Sequence, residues 1–253
     1  MWSGEYSFVL KNLVLKDFRV RYRNMSLGLL WSLLNPLVMM GVLTFIFTKI
    51  FLNPRPHFAV FLLCGLIPLS FFQVSWSSGT GTILDNVGLI KKMRVPRELF
   101  PVASVLSNFV HLFIQLGLLA FIALVSGLHI TLNWLWLPLI LGLEVVFATG
   151  LVLATSSLNV YLRDTRYVVD SFNTVLFWLV PVFYDFSVIP KKYAELYQYN
   201  PIAALVLAMR QVILLGNPPS AVLMLKAVVV SCVSLTVGIL IFGRLKHQFY
   251  DHL

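Results

Sequence analysis

The sequence predicts an all-α integral membrane protein with six transmembrane helices, and three observations carry that prediction. Apolar residues come in long uninterrupted blocks instead of alternating with polar ones. Hydrophobic residues make up 59% of the 253, with a mean hydropathy of +0.87, and a water-soluble fold of this size would have to display much of that as one exposed apolar patch. Charged residues, only 11% of the chain, gather in short clusters between the blocks. The net charge of +9 therefore points to anionic lipid headgroups and the positive-inside rule, and no nucleic-acid partner is expected.

Each element follows from the pattern in turn. Residues 1–28 alternate basic residues with Phe8, Val9, Leu10, Leu13, Val14, Phe18 and Val20 near helical spacing, without the short apolar core and small-residue site of a cleaved signal. An amphipathic helix lying in the inner interface is expected there. No charge occurs between Arg23 and Lys49, so the first span is placed at residues 29–50. Its Asn35–Pro36 pair either kinks the helix and frees a carbonyl or is simply a tolerated membrane proline. The second span is placed at 58–79. After it comes "NVGLIKKMRVPRELFP", a loop over 85–99 that packs Lys91, Lys92, Arg94, Arg97 and Glu98 together.

The next uncharged stretch is too long for one helix, and "SGLHITLN" divides it into spans at 100–125 and 134–160. A fifth span is expected at 168–189. Residues 190–217 offer only about 16 apolar-leaning positions interrupted by Arg210, which suits a re-entrant or interfacial segment better than a crossing. The last span is placed at 221–242. With the amino terminus inside, thirteen lysines and arginines fall on the cytoplasmic side and five outside, which fixes the orientation with both termini cytoplasmic. No internal repeat divides the chain, so residues 1–253 read as one membrane domain.

No phosphate loop, HExxH, CxxC or GxSxG is present, so no catalytic site, resident cofactor or metal site is expected in this chain. Cys64 and Cys232 lie in apolar blocks as small hydrophobes. Glu144 is the one carboxylate well inside a span; it is either a proton-relay group or a protonated or hydrogen-bonded helix contact. His111 admits the same two readings. Asp170 and Asp185, near the ends of the fifth span, need no special role. Trp31, Trp134, Trp136 and Tyr167 fall at headgroup depth as an interfacial belt. In "TFIFTKIF" and "LFWLVPVFYDF", Phe45, Phe47, Trp178, Phe183 and Tyr184 form a surplus of rings. As a group they could line a pathway for sugars, whose apolar faces stack on aromatics.

The ordered set "KDFRVRYRNMSLGLLWSLLNPL", "NVGLIKKMRVPRELFP", "NVYLRDTRYVVD", "FWLVPVFYDFSVIP" and "YNPIAALVLAMRQVILLG" resembles the membrane permease of the ABC-2 family over essentially the whole chain, and within it the branch exporting O-antigen, capsule and teichoic acid. The resemblance implies the ABC-2 fold, like that of type V exporters, in a bacterial cytoplasmic (inner) membrane. It further implies a homodimer working with two copies of a separate ABC ATPase, which binds ATP and Mg²⁺, and a lipid-linked glycan as substrate. Lys91, Lys92, Arg94, Arg97 and Glu98 would then sit on a short coupling helix that meets the ATPase. Asn200, Pro201 and Arg210 would belong to helices gating the outer mouth. Arg19, Arg21 and Arg23 would face the lipid pyrophosphate, or anionic lipid alone. Three other readings stay open at this point: an ABC-2 permease for a small drug or lipid, a proton-coupled carrier using Glu144 and His111, and a membrane scaffold or insertase with no cargo.

Overall fold

Apolar blocks this long, cut off from water, must satisfy their backbone groups within the segment, and the computed structural model is accordingly helical. It describes residues 3–23, 28, 30–51, 55–92 and 95–249. Helix α1 (Ser3–Tyr22) is followed by α2 (Leu30–Phe45), which runs on through a π turn at Ile46–Ile50. Pro36 lies inside α2 and cannot donate to Ser32 four residues back; the Gln115 amide fills the vacancy, its Nε2 donating to Ser32 O at 2.9 Å. Next come α3 (Phe58–Asp85), the short α4 (Val87–Lys92), α5 (Leu99–Val125) and α6 (Leu137–Tyr161), the last entered through a 3₁₀ turn at Leu132–Trp136.

Helix α3 is the hub, buried among α5, α6, α7 (Thr165–Leu179) and α9 (Pro201–Ile213). It continues beyond the expected end at residue 79 because its polar inner turns are matched by α6. Thr80 and Thr155 share a hydrogen bond of 2.8 Å, and Asn159 Nδ2 donates to Thr80 O at 3.1 Å. Helix α6 meets α10 (Ala221–Leu245) along a face of small residues. Ser231 and Ser234 donate across it to the carbonyls of Leu143 and Phe147, and Gly150 and Gly238 touch through backbone.

The fifth expected span, residues 168–189, is not one helix. Helix α7 stops at Leu179 because Pro181 has no N–H to continue the ladder and restricts the residue before it. The chain then runs extended and buried through Val180 and Val182, turns at Phe186–Val188, and enters α8 (Lys191–Tyr199) and α9. Among the described residues five helices are therefore long and apolar enough to cross a membrane. Helix α9 begins at Asn200, whose side chain accepts from Ile202 N, with Pro201 in the first turn. Its 13 residues, roughly 20 Å, are buried nearly all round. Two short helices thus occupy the stretch expected to be re-entrant.

The core has two parts. A large cluster joins α3, α5, α6, α9 and α10, while a smaller one at the opposite end gathers Leu13 of α1, Ile90 of α4, Phe100 of α5, Val160 of α6, Phe242 of α10 and Phe249. On helix α1, Val9, Leu10, Leu13 and Val14 pack inward, Phe8 is exposed on another side, and Val20, in helical register with the inward set, borders a recess against α3 and α5.

Candidate functional site

Polar groups at depth have to be matched, and the pairing of α3 with α7 does this in one place. The two run antiparallel. Arg166 Nη1 and Asp85 Oδ2 both lie over Gly81, Asp170 pairs with Ser77, and Asn173 with Gln73. Ser77 Oγ donates to Asp170 Oδ1 at 2.7 Å and accepts from Asn173 Nδ2 at 2.9 Å; Gln73 Nε2 donates to Asn173 O at 2.6 Å. Asn173 is 7% exposed, and its Oδ1 has no partner among the described residues. Gln73, Ser77, Arg166, Asp170 and Asn173, with Phe177 and Trp178, line an open groove of about 660 Å³. Gln73 and Ser77 sit roughly 12–18 Å along α3 from its Asp85 end, inside a helix long and apolar enough to cross a bilayer. Exposed Asp170 against lipid would cost about 3 kcal/mol.

Aromatic rings continue the groove past the end of α7. Phe183 lies 6.1 Å from Phe177, 5.6 Å from Trp178, 5.3 Å from Tyr184 and 5.7 Å from Phe47, centre to centre. Four of the five expected channel aromatics, Phe47, Trp178, Phe183 and Tyr184, thus form one group. Phe45 is exposed and joins none of these rings among the described contacts. Tyr184 also closes the broken helix: its hydroxyl donates to the carbonyls of Leu179 at 3.0 Å and Trp178 at 3.2 Å.

At the opposite end of α3, the basic loop divides its charges. Lys91 and Lys92 stand exposed on the last turn of α4, anchored from beneath by buried Ile90. Arg94 lies outside the described residues. Arg97 and Glu98 are not on that helix but at the entry to α5, where both engage the chain after α10. Arg97 Nη1 donates to Lys246 O and its guanidinium lies 5.6 Å from the Phe249 ring; Lys246 Nζ meets Glu98 Oε1 at 2.6 Å. Burial pulls the Glu98 carboxyl upward, but the hydrogen bond and charge of Lys246 outweigh it and hold the group below its ordinary value of 4.5. The Glu98–Lys246 contact is therefore complete above that value and is lost as pH falls through the depressed one. Both side chains are 36% exposed, so Glu98→Gln is expected to lower stability by no more than about 1 kcal/mol at neutral pH. In a melting series in detergent, the gap between variant and parent should close on acidification.

Of the three leader arginines, Arg19 and Arg23 are exposed, while Arg21 turns inward and its Nη1 donates to Asn108 Oδ1 on α5. Asn108 Nδ2 in turn donates to Ser78 Oγ at 3.1 Å. His111, on the same helix, stacks on Phe18 of α1 at 5.7 Å. Glu144 is fully buried in α6, and neither carboxyl oxygen has a hydrogen-bond partner among the described residues. Asn200 and Pro201 start α9, and Arg210, on its last turn, reaches across to α3 and to the extended segment after α7. Lys226, expected inside the last span, donates to Gln198 of α8 at 2.8 Å.

The sequence reading passed over Gln73, Ser77, Asn173 and the role of Asp170. The available signal was the run of polar residues at i, i+3 and i+4 in "RYVVDSFNT", which gives α7 a polar face inside a block otherwise read as a span.

The family described as ABC-2 type transporter matches residues 9–214. The chain is 30% identical over 242 residues to an O-antigen export system permease protein RfbA of Klebsiella pneumoniae, covering 94% of this chain and 92% of that one. It is 27% identical to the Myxococcus xanthus protein of the same description, over 98% and 96% of the two chains. Against the polysialic acid transport protein KpsM of Escherichia coli the identity is 23%, over 91% and 90%.

Proposed function

This chain belongs to the ABC-2 type transporter family, and from that membership we propose that it is the membrane-crossing subunit of an ATP-driven exporter of lipid-linked polysaccharide. One observation carries the reading to a mechanism: the open groove of α3 and α7, lined by amides, a hydroxyl and a carboxylate along a helix long and apolar enough to cross a bilayer, with rings above it. Such a surface is tolerable in a membrane only where it faces water or another protein. Two copies placed groove to groove would enclose a wet path whose amides and carboxylate match sugar hydroxyls and whose rings match sugar faces. The similarity to permeases named for O-antigen export and polysialic acid transport favours a polysaccharide over a small drug or lipid.

Six crossings follow if α7 and the extended segment after it count together. In support, the chain accompanies α3 for its whole length, from Arg166 beside Asp85 to Asp185 paired with Arg55 at 2.8 Å. Both termini then lie in the cytosol with α1, α4 and the end of α10. With native Cys64 and Cys232 replaced, cysteines at Lys91 and His247 are expected to label from the cytosolic side only, and one at Asn217 from the opposite side only. The reverse pattern would refute the topology.

Lys91 and Lys92 supply the charged tip on which two ABC ATPase subunits, bearing ATP and Mg²⁺, would dock; Arg97 and Glu98 tie that tip to the end of α10. Reversing both charges, Lys91→Glu with Lys92→Glu, is expected to cut co-purification of the ATPase at least tenfold while the permease remains folded. Arg19 and Arg23 are disposed to meet the phosphates of a lipid carrier, with Arg21 joined to the bundle. Asn200, Pro201 and Arg210 would hold the outer gate. The whole reading is tested by reconstituting permease and ATPase in vesicles with lipid-linked glycan. ATP-dependent accumulation is expected, and its absence with an active ATPase would count against export.

A further inference from the structure

At the end of the fold where α3 begins, a cavity of about 580 Å³ lies against α9 and the start of α10. Arg210 borders it and is 6% exposed. Its Nη2 donates to Val182 O at 2.7 Å and to Phe61 O at 3.4 Å, but Nε and Nη1 have no partner among the described residues. Arg55 borders the same cavity. The two guanidinium carbons lie 3.5 Å and 4.0 Å from the centre of a single ring, Phe61. Like charges gathered on one ring in a recess repel unless an anion joins them. Among the described lining residues the one acid is Asp185, and it is 2.8 Å from Arg55, while Arg210 Nε and Nη1 have no partner among them.

The neutral lining residues add donors. The Gln198 carbonyl oxygen is taken by Lys226 Nζ, and that of Gln211 by Ser220 N, which leaves their amide NH₂ groups to donate. A recess with two guanidiniums, two amide donors and one acid has the chemistry of an oxyanion site. We propose that it binds a phosphate-class oxyanion, a phosphate or diphosphate ester, held between Arg55 and Arg210. Tetrahedral phosphate offers oxygens to both forks at once, and the volume admits the group with part of what it is attached to. The oxyanion competes with Asp185 for Arg55. The inference rests on this cavity alone and does not depend on export.

The competition gives the test its sign. In an Arg55–Asp185 pair that serves only structure, removing either partner acts in the same direction. In an oxyanion site, Arg55→Gln weakens binding and Asp185→Asn strengthens it. The full-length chain in phosphatidylcholine nanodiscs is dialysed against labelled inorganic pyrophosphate, and retention of phosphatidylglycerol from mixed nanodiscs is measured by native mass spectrometry. Saturable pyrophosphate binding, at least tenfold weaker in Arg55→Gln and severalfold tighter in Asp185→Asn, is expected for a soluble or glycan-borne phosphate. The same opposed pattern seen only for phosphatidylglycerol supports the site with a lipid headgroup as its source. No binding of either probe, or equal changes in both variants, overturns the proposal. Neither variant touches Arg210, whose bonds to Val182 and Phe61 hold the fold.

Discussion

Gly238→Ala is expected to lower the stability of the chain in detergent by about 3 kcal/mol, the upper part of the range for forcing extra atoms into a packed interface. A Cβ at this position would run into Gly150 O, with Gly150 C at 2.8 Å and Cα at 2.9 Å, and one at Gly150 would meet Leu235 N and Ser234 O at 2.5 Å. The opposing term is helix propensity, worth about 1 kcal/mol in favour of alanine, and it is too small to win. Backbone cannot step aside as a side chain can, so α6 and α10 must separate, breaking the bonds from Ser231 and Ser234. Two comparisons isolate the cause. Gly142→Ala, on the same helix as Gly150 with nothing within 4 Å, should be neutral or slightly stabilising. Gly79→Ala meets both Cγ atoms of Val152, a side chain, so Val152→Ala, which leaves only Cβ at 3.2 Å, should recover part of the loss. A Gly238→Ala protein melting like its parent would show that the helices can part without loss.

If the chain exports glycan with an ATPase as proposed, Asp170→Leu is expected to reduce transport tenfold or more while leaving the protein folded and ATP hydrolysis by the proposed ATPase subunit running. Asp170 accepts from Ser77, which accepts from Asn173, so the leucine removes the anchor of a three-residue chain and places an isobutyl group in the groove. A lipid-facing location predicts the opposite result. There, replacing a carboxylate by leucine would relieve a cost of about 3 kcal/mol, raise stability and leave transport alone. Transport in vesicles and melting in detergent, measured on the same preparation, separate the two. Asp170→Asn, which keeps the acceptor for Ser77, should fall between.

The long helices were legible because hydropathy alone delimits them. Expected bounds of 29–50, 100–125 and 134–160 lie within two residues of Leu30–Ile50, Leu99–Val125 and Leu132–Tyr161 at every end. Hydropathy failed where a polar residue is satisfied out of sight. It ended α3 six residues early, since Thr80 is matched by Thr155 and Asn159 from a helix some 75 positions away. It also ran the fifth span straight through Pro181, where a single residue's missing N–H overrules the apolar character of its neighbours. The groove was out of reach for another reason. Gln73 and Asn173 are 100 positions apart, and nothing local in either stretch announces the other. Likewise Lys91, Lys92, Arg97 and Glu98 look like one cluster along the chain, yet the last two are bound to residues nearly 150 positions on.

Because α7 stops at Leu179, the chain turns an elbow partway along α3. A continuous rod through the bilayer would relay any push on its inner tip to the far surface. Here the stiff section, about 22 Å long, ends partway. Beyond it, the irregular segment from Val180 to Asp185 is held by Arg210 of α9, which donates to Val182 O and to Phe61 O of α3, and by Arg55, just before α3, through Asp185. Tyr184 and Phe183 tie this segment back to the end of α7 as well, so the elbow is a bend held on three sides.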